Sequence, residues 1–227
     1  MKEPLNSYDF HPFLGGNSPL ATLMGGSLLI LASSRFSFAL VCAGSLLWVY
    51  CLTALAVFAF RPILPIKGRP GLFVFLSAII GSFYLLILSF LSPLLVLNTF
   101  FFLILSPVCC ISSGLLEWIG LGEPADGAAP QNSEFPEIEA VLIRSFSESA
   151  ALGILILALS LIREPIGFAV LSFPGGAQGI VTLFSAEEGG FFPVFIAASS
   201  AGALMFLGYG IALFRRFRGQ YFRQEEH

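Results

Sequence analysis

A short run near the middle of the chain holds the residues best suited to chemistry. In Ser106-Pro-Val-Cys-Cys-Ile-Ser-Ser-Gly-Leu-Leu-Glu117, the adjacent thiols of Cys109 and Cys110 precede a carboxylate at the end of a long apolar stretch. Thiolates are ligands for transition metals and iron–sulfur clusters, and an ionisable group at membrane depth typically marks a site or a pathway. Cysteine is also a common small apolar filler, and Glu117 can reach the headgroup zone. On spacing alone, the filler interpretation is favoured.

The composition places the chain in a membrane. Of its 227 residues, 56% are hydrophobic and 11% are charged, whereas a soluble domain carries about 25% charged residues. This balance excludes a soluble enzyme and makes the lipid bilayer a partner. The net charge of −3 offers no basic surface, so we expect no nucleic-acid partner. Cys42 and Cys51 lie on opposite faces of one apolar stretch and are interpreted as packing residues.

Six apolar stretches predict an all-α membrane protein with six transmembrane helices, because a crossing takes about 20 residues at helical rise. The stretches cover approximately 19–32, 36–60, 71–91, 94–118, 148–162 and 191–214, and the first and fifth are short. The predicted organisation is an N-terminal segment (1–16), four helices (17–119), an acidic loop (120–146), two helices (147–214) with a loop between them (163–190), and a basic tail (215–227).

Arginine and lysine residues indicate the orientation. One basic cluster, at 61–69, lies between the second and third helices, and another, at 215–223, follows the sixth. Both fall on one side in a six-helix topology, and the positive-inside rule assigns that side to the cytoplasm. Both termini and the acidic loop are therefore predicted to be cytoplasmic, and the loop at 163–190 to face outward.

The two halves of the chain are weakly alike. Arg61-Pro62 closes the second helix of the first half, and Arg163-Glu164-Pro165 closes the corresponding helix of the second. Three helices in each half predict two inverted three-helix repeats, which typically hold a site on short or broken helices. These would be the first and the fourth helices, and Pro107 is expected to interrupt the fourth. Any glycine-rich six-helix protein can show similar correspondences between its halves, so the alternative that there is no repeat stays open.

The order of these motifs resembles a known family. The chain resembles the six-helix integral membrane subunits of the Rnf and Nqr complexes, the RnfE/NqrD type more than its sister RnfA/NqrE type. The resemblance rests on Cys110-Ile-Ser-Ser-Gly114-Leu-Leu-Glu117 at the end of the fourth helix and on Arg163-Glu164 at the end of the fifth. It covers most of the chain.

The resemblance implies a subunit of an ion-translocating electron-transfer complex in the bacterial inner membrane, coupled to sodium or proton transport. It implies part of a translocase rather than a stand-alone enzyme. The expected partners are other Rnf/Nqr-like membrane subunits, including a sister six-helix subunit. The expected cofactor is a [2Fe–2S] cluster shared with that sister.

The chain departs from the family at the expected cluster ligands. Family members supply one ligand from a cysteine in the first short helix, where this chain has Ser27, and another from the position of Cys110. Cys109 stands where the family has asparagine. It becomes a second candidate metal ligand only if the fourth helix is broken, because adjacent residues of an intact helix point about 100° apart. Three functions stay open: a divergent cluster-binding subunit, a cluster-less scaffold paralogue, and a component of a small-solute membrane transporter.

Charged residues near the membrane form a second set of candidates. Glu148, at the predicted start of the fifth helix, either complements the helix dipole, which is favoured, or lies on an ion path. Arg163 and Glu164 lie at the predicted start of the outward loop, where Glu164 would offset the positive charge. These three residues and Glu117 are candidates for an ion path or a structural role.

Overall fold

The computed structural model describes residues 23–60, 69–113, 138–175, 179–185, 194–210 and 212. The described part is mostly helical. Its elements are α1 (Leu23–Ala32), α2 (Phe36–Phe60), α3 (Arg69–Leu91), α4 (Pro93–Ser112), α5 (Ile138–Phe168), β1 (Val170–Pro174), β2 (Ile180–Ser185), α6 (Phe195–Ala198) and α7 (200–210). Four helices, α2 to α5, are long and apolar enough to cross a membrane. These four apolar helices support a membrane-embedded protein.

Helix α2 lies at the centre of the bundle and packs against α3, α4 and α5. It runs antiparallel to α5. The Phe36 amide donates to Glu164 at one end, and Gly153 contacts Ala43 further along α2. An added Cβ at Gly153 would lie 3.2 Å from the Ala43 side chain, so small residues allow the two backbones to approach closely. Helix α1 packs against α4 and α5.

The fourth helix is not interrupted at Pro107, contrary to the prediction. Helix α4 runs from Pro93 to Ser112 with Pro107 inside it. Proline removes one backbone donor, and the hydroxyl of Ser106 donates instead to the Leu103 carbonyl at 2.9 Å. Gly81 on α3 leaves space for the ring, because a Cβ there would lie 2.5 Å from Pro107 Cγ. Proline is tolerated in membrane helices where side chains and neighbours compensate in this way.

The fifth helix is longer than predicted. It begins at Ile138 rather than at 148 and continues to Phe168, so the expected loop boundaries at 146 and 163 are wrong. The hydroxyls of Ser145 and Ser149 are satisfied within this helix, since they donate to the carbonyls of Val141 and Ser145, both at 2.8 Å.

The segment after α5 forms a β-hairpin, which the all-α prediction did not include. Strands β1 and β2 pair antiparallel, with a register shift after Leu171. Gly179 closes the turn with a φ of 77°, a conformation that favours glycine. A Cβ at Gly179 would lie 2.8 Å from the Leu95 backbone nitrogen, so Gly179 packs directly on the beginning of α4.

The predicted sixth helix is interrupted where the structure describes it. Helix α6 ends at Ala198, and Ser199 is extended, with φ −74° and ψ 161°. The backbone folds back tightly, since a Cβ at Gly202 would lie 2.3 Å from the Ile196 carbonyl oxygen. The six-helix count and the inverted repeat stay predictions, because the described residues contain four candidate membrane spans.

Candidate functional site

The two thiols singled out in the sequence lie at the end of α4, inside the protein. Cys109 and Cys110 are both 0% exposed. The Tyr50 hydroxyl on α2 donates to the Cys109 carbonyl at 3.0 Å, and the Ser113 hydroxyl donates to the Cys110 carbonyl at 2.8 Å. The Tyr50 bond joins the last turn of α4 to the middle of α2, and the Ser113 bond is local to the end of α4.

The surroundings of these thiols do not fit the expected shared cluster. A cluster between two subunits takes ligands from the surfaces that meet, but the chain itself covers both thiols completely. Helix α4 is intact at Pro107, so Cys109 and Cys110 diverge by about 100°. No group of three potential metal ligands occurs among the described residues. Ser27 lies in α1, and Glu117 falls outside the described residues. Cluster binding stays a prediction of the resemblance.

Glu148 lies inside a helix rather than at its beginning. It is roughly three turns from the start of α5, so the helix-dipole interpretation is wrong. Its Oε1 accepts from Arg144 Nε at 3.0 Å, in a pair one helical turn apart. Its Oε2 is buried and has no hydrogen-bond partner among the described residues. The carboxylate is 6% exposed.

The unpartnered carboxylate oxygen belongs to a polar region in an otherwise apolar bundle. Glu148 lies within electrostatic range of Tyr50 and Cys110. Thr53, about one turn from Tyr50 on α2, has a second buried oxygen without a partner in the described part of the chain. An unsatisfied buried polar group costs about 1–3 kcal/mol. Trp48 Nε1 on α2 is a third such atom, and the unpartnered oxygen of Glu148 is the one that carries charge.

Arg163 is a second buried centre, near the other end of α5. It is 1% exposed. The sequence predicted that it lies in a surface loop, and this prediction is wrong. Its guanidinium donates five hydrogen bonds, one from each N–H. The acceptors are the carbonyls of Ile30 (3.1 Å), Ala197 (3.0 Å), Ala198 (2.9 Å) and Ser199 (3.0 Å), and the Ser33 hydroxyl.

The acceptors of Arg163 come from two helix ends. They lie at or just after the C-terminal ends of α1 and α6, where carbonyls carry partial negative charge, and the Ser199 carbonyl also accepts from the Ala203 amide of α7 at 3.1 Å. One guanidinium therefore stabilises both ends without a carboxylate among these acceptors. At the break, the carbonyls of Ala197 and Ala198 bind Arg163, and the Ser199 carbonyl accepts from both Arg163 and Ala203.

Glu164 binds backbone amides rather than offsetting the neighbouring charge. Its Oε2 accepts from the Phe36 amide at 2.9 Å and from the Ser172 amide at 3.1 Å. Phe36 begins α2, so a negative charge there complements the positive end of the helix dipole. Arg163 thus binds the end of α1, and the adjacent Glu164 binds the beginning of α2. These two helix ends lie on either side of one turn.

One feature of these sites was missed in the sequence. Tyr50 was not considered, although a tyrosine inside an apolar stretch needs a partner for its hydroxyl. Cys42 was interpreted as a packing residue, and it packs in the same buried hydrophobic cluster as Cys109 and Cys110. Which α2 residues face α4 depends on helix packing, which the spacing of residues does not reveal.

Comparison with known proteins adds no relative. No family model, characterised protein or solved structure matches this chain.

Proposed function

We propose that this chain is a membrane subunit of an ion-translocating electron-transfer complex of the Rnf/Nqr kind, and that Glu148 lies on its ion path. The complex would reside in the bacterial inner membrane and include a sister six-helix subunit, with both termini of this chain in the cytoplasm. The sequence resemblance supports the class of complex. The environment of Glu148 supports the role of this residue.

One observation carries the proposal: a buried carboxylate oxygen of Glu148 that has no hydrogen-bond partner among the described residues. Intramembrane carboxylates are rare and mark ion or proton pathways by default. Arg144 occupies Oε1, which leaves Oε2 available for a sodium ion or a proton. Oxygen ligands suit a hard cation, and the nearby Tyr50 hydroxyl could accompany the carboxylate. The same site serves either ion, so the structure favours neither.

The buried thiols favour a cluster-less subunit as a second candidate. Because Cys109 and Cys110 are covered by their own chain, the subunit can assemble with its sister without sharing iron. In that case the thiols pack the core and electron transfer runs through other subunits. The ion path at Glu148 is compatible with both candidates.

The test uses inverted membrane vesicles that contain the assembled complex. Sodium and proton uptake are followed with ion-sensitive dyes, driven by NADH and, separately, by reduced ferredoxin. Glu148→Gln should lower the uptake rate about tenfold or more, because a charged partner contributes about 1.5–3 kcal/mol. Glu139→Gln is the matched control, since Glu139 lies exposed in the first turn of the same helix.

Unchanged uptake in Glu148→Gln, with the complex assembled at the parent level, would contradict the ion path. Iron content and low-temperature EPR of the same complex separate the two candidates. A reducible signal that disappears in Cys110→Ala would establish the thiol as a ligand. An identical iron signal in parent and variant would favour the cluster-less subunit.

A further inference from the structure

The connections at one end of the bundle are apolar where a water-facing loop would be polar. Helices α3 and α4 are joined through Ser92 alone, and the neighbouring Phe90 and Leu91 are 83% and 76% exposed. Connections between elements normally run over the surface in contact with water. The chain has no Asp, Glu, Lys, Arg or His in 70–116 or in 165–186. The exposed side chains of Phe90 and Leu91 at this turn therefore cannot form hydrogen bonds with water.

The β-hairpin lies beside this turn and is firmly attached. Ile180 packs against the small cluster of Val41 and Leu95, which Leu88 also contacts. On the other strand, the Ser172 amide donates to Glu164, and its hydroxyl donates to Ser37 at 3.1 Å. The hairpin thus lies alongside the first turns of α2 and α4 and does not project as a free loop.

The outer side of the hairpin is also apolar. Phe173, Val181 and Leu183 are exposed, Leu183 to 62%. Leu183 has no partner in the strand register, so it is the bulged residue. Leu183 lies two residues after Val181, and residues i and i+2 of a strand share a face, which fits its outward position beside an exposed neighbour.

We propose that the hairpin and the α3–α4 turn form one lipid-contacting face that lies in the boundary zone between headgroups and acyl chains. This hairpin face consists of Phe90, Leu91, Phe173, Val181 and Leu183. It continues the lipid-facing surface of α3, where only 17% of the membrane-spanning window is buried within the chain. The inference goes beyond the proposed ion path and does not depend on it.

The backbone sets the depth of the hairpin face. Within the described residues the sheet has two strands, so β2 has an open edge of N–H and C=O groups. Hydrocarbon does not tolerate such an edge, because nothing there satisfies its hydrogen bonds. The boundary zone supplies water and headgroup oxygens to the edge and acyl chains to the leucine and phenylalanine side chains.

The chemistry of the face favours lipid over a protein partner. Protein interfaces are enriched in aromatic residues, methionine and arginine and carry about one hydrogen bond per 100–200 Å². The hairpin face includes Phe90 and Phe173, but none of its five side chains can donate or accept a hydrogen bond. Its continuity with α3 extends one apolar surface over the end of the bundle.

The test is depth-dependent quenching of a fluorophore at Leu183. The full chain carries Leu183→Cys together with Cys51→Ser, because Cys51 is the half-buried native thiol. It is labelled with the dye NBD in vesicles of phosphatidylcholine and phosphatidylglycerol. Quenchers are lipids with a spin label near the headgroup or deep in the acyl chain, and aqueous iodide. Glu139→Cys in the same background is the exposed control.

The proposal expects the shallow lipid quencher to reduce Leu183 fluorescence more than the deep one, and more than iodide does. The Glu139 label should respond mainly to iodide. Quenching of the Leu183 label by iodide alone would overturn the proposal and place the hairpin in water. Shielding from every quencher would also overturn it and indicate a protein partner on the hairpin face. Leu91→Cys provides a second position if the first variant does not fold.

Discussion

Replacement of Arg163 is the most informative perturbation of the fold. Arg163→Ala removes all five hydrogen bonds that join the C-terminal ends of α1 and α6. Four of the five acceptors are backbone carbonyls. The Ile30 carbonyl also accepts from the Ser33 hydroxyl and the Ser199 carbonyl from the Ala203 amide, so the loss falls mainly on the carbonyls of Ala197 and Ala198. We therefore expect a large loss of stability and separation of the two helix ends.

The size of the loss follows from the number and kind of these hydrogen bonds. Hydrogen bonds between membrane helices average about 0.6 kcal/mol, which gives a lower bound of about 3 kcal/mol for five of them. A buried acceptor that loses its donor costs about 1–3 kcal/mol, which gives an upper bound of about 6 kcal/mol for the Ala197 and Ala198 carbonyls, because Ile30 and Ser199 keep a second donor. Even the lower bound is a large part of a typical free energy of unfolding of about 5–15 kcal/mol.

Two further variants make the test specific. Lysine has three donors, so Arg163→Lys can retain at most three of the five hydrogen bonds and should lose about 1 kcal/mol or more. Arg35→Ala removes a nearby arginine that contacts the rings of Phe38 and Phe168, at 5.8 and 5.5 Å. Such contacts contribute about 0.5–1 kcal/mol at exposed sites.

The assay is equilibrium unfolding by SDS in mixed micelles, followed by circular dichroism. The expected order of stability is parent, then Arg35→Ala and Arg163→Lys, and last Arg163→Ala, by a clear margin. If Arg163→Ala unfolds at the same SDS fraction as Arg35→Ala, the five hydrogen bonds do not join the helix ends as described. The reasoning about both helix ends would then be refuted.

Two predictions concern neighbours of Arg163. Glu164→Gln keeps an acceptor but removes the charge at the beginning of α2, so we expect a loss of about 0.5–2 kcal/mol and faster hydrogen exchange of the Phe36 and Ser172 amides; unchanged exchange would contradict the capping role. Gly167→Ala places a methyl group 2.9 Å from the Ala198 nitrogen and should cost about 1–3 kcal/mol. Gly208→Ala, with no heavy atom within 4 Å of the added group, should leave the SDS midpoint nearly unchanged, and equal midpoints for both variants would count against the close contact.

Much of the helical architecture could be predicted, but several boundaries could not. The apolar stretches correctly predicted α2 and α3, since length and hydropathy are local properties. The beginning of α5 was misplaced because its first turns are polar, although Ser145 and Ser149 satisfy their hydroxyls within the helix. Pro107 was expected to break α4, and the compensation by Ser106 and Gly81 depends on a neighbouring helix. The hairpin was missed because its uncharged residues have no clear alternation.

The sequence by itself determined that the chain is a membrane protein, because its apolar length and lack of charge leave no alternative. It also identified Cys109, Cys110, Glu148, Arg163 and Glu164 as residues worth attention. Only the tertiary structure decided what they contact. The thiols are buried because α2 covers α4. The surroundings of the Glu148 carboxylate depend on how α2 and α5 pack against each other. The five acceptors of Arg163 come together because two helix ends converge. These are contacts between segments that are distant in the sequence, and they form only when the whole bundle packs. Hydropathy, in contrast, is a property of each residue and can be read directly from the sequence.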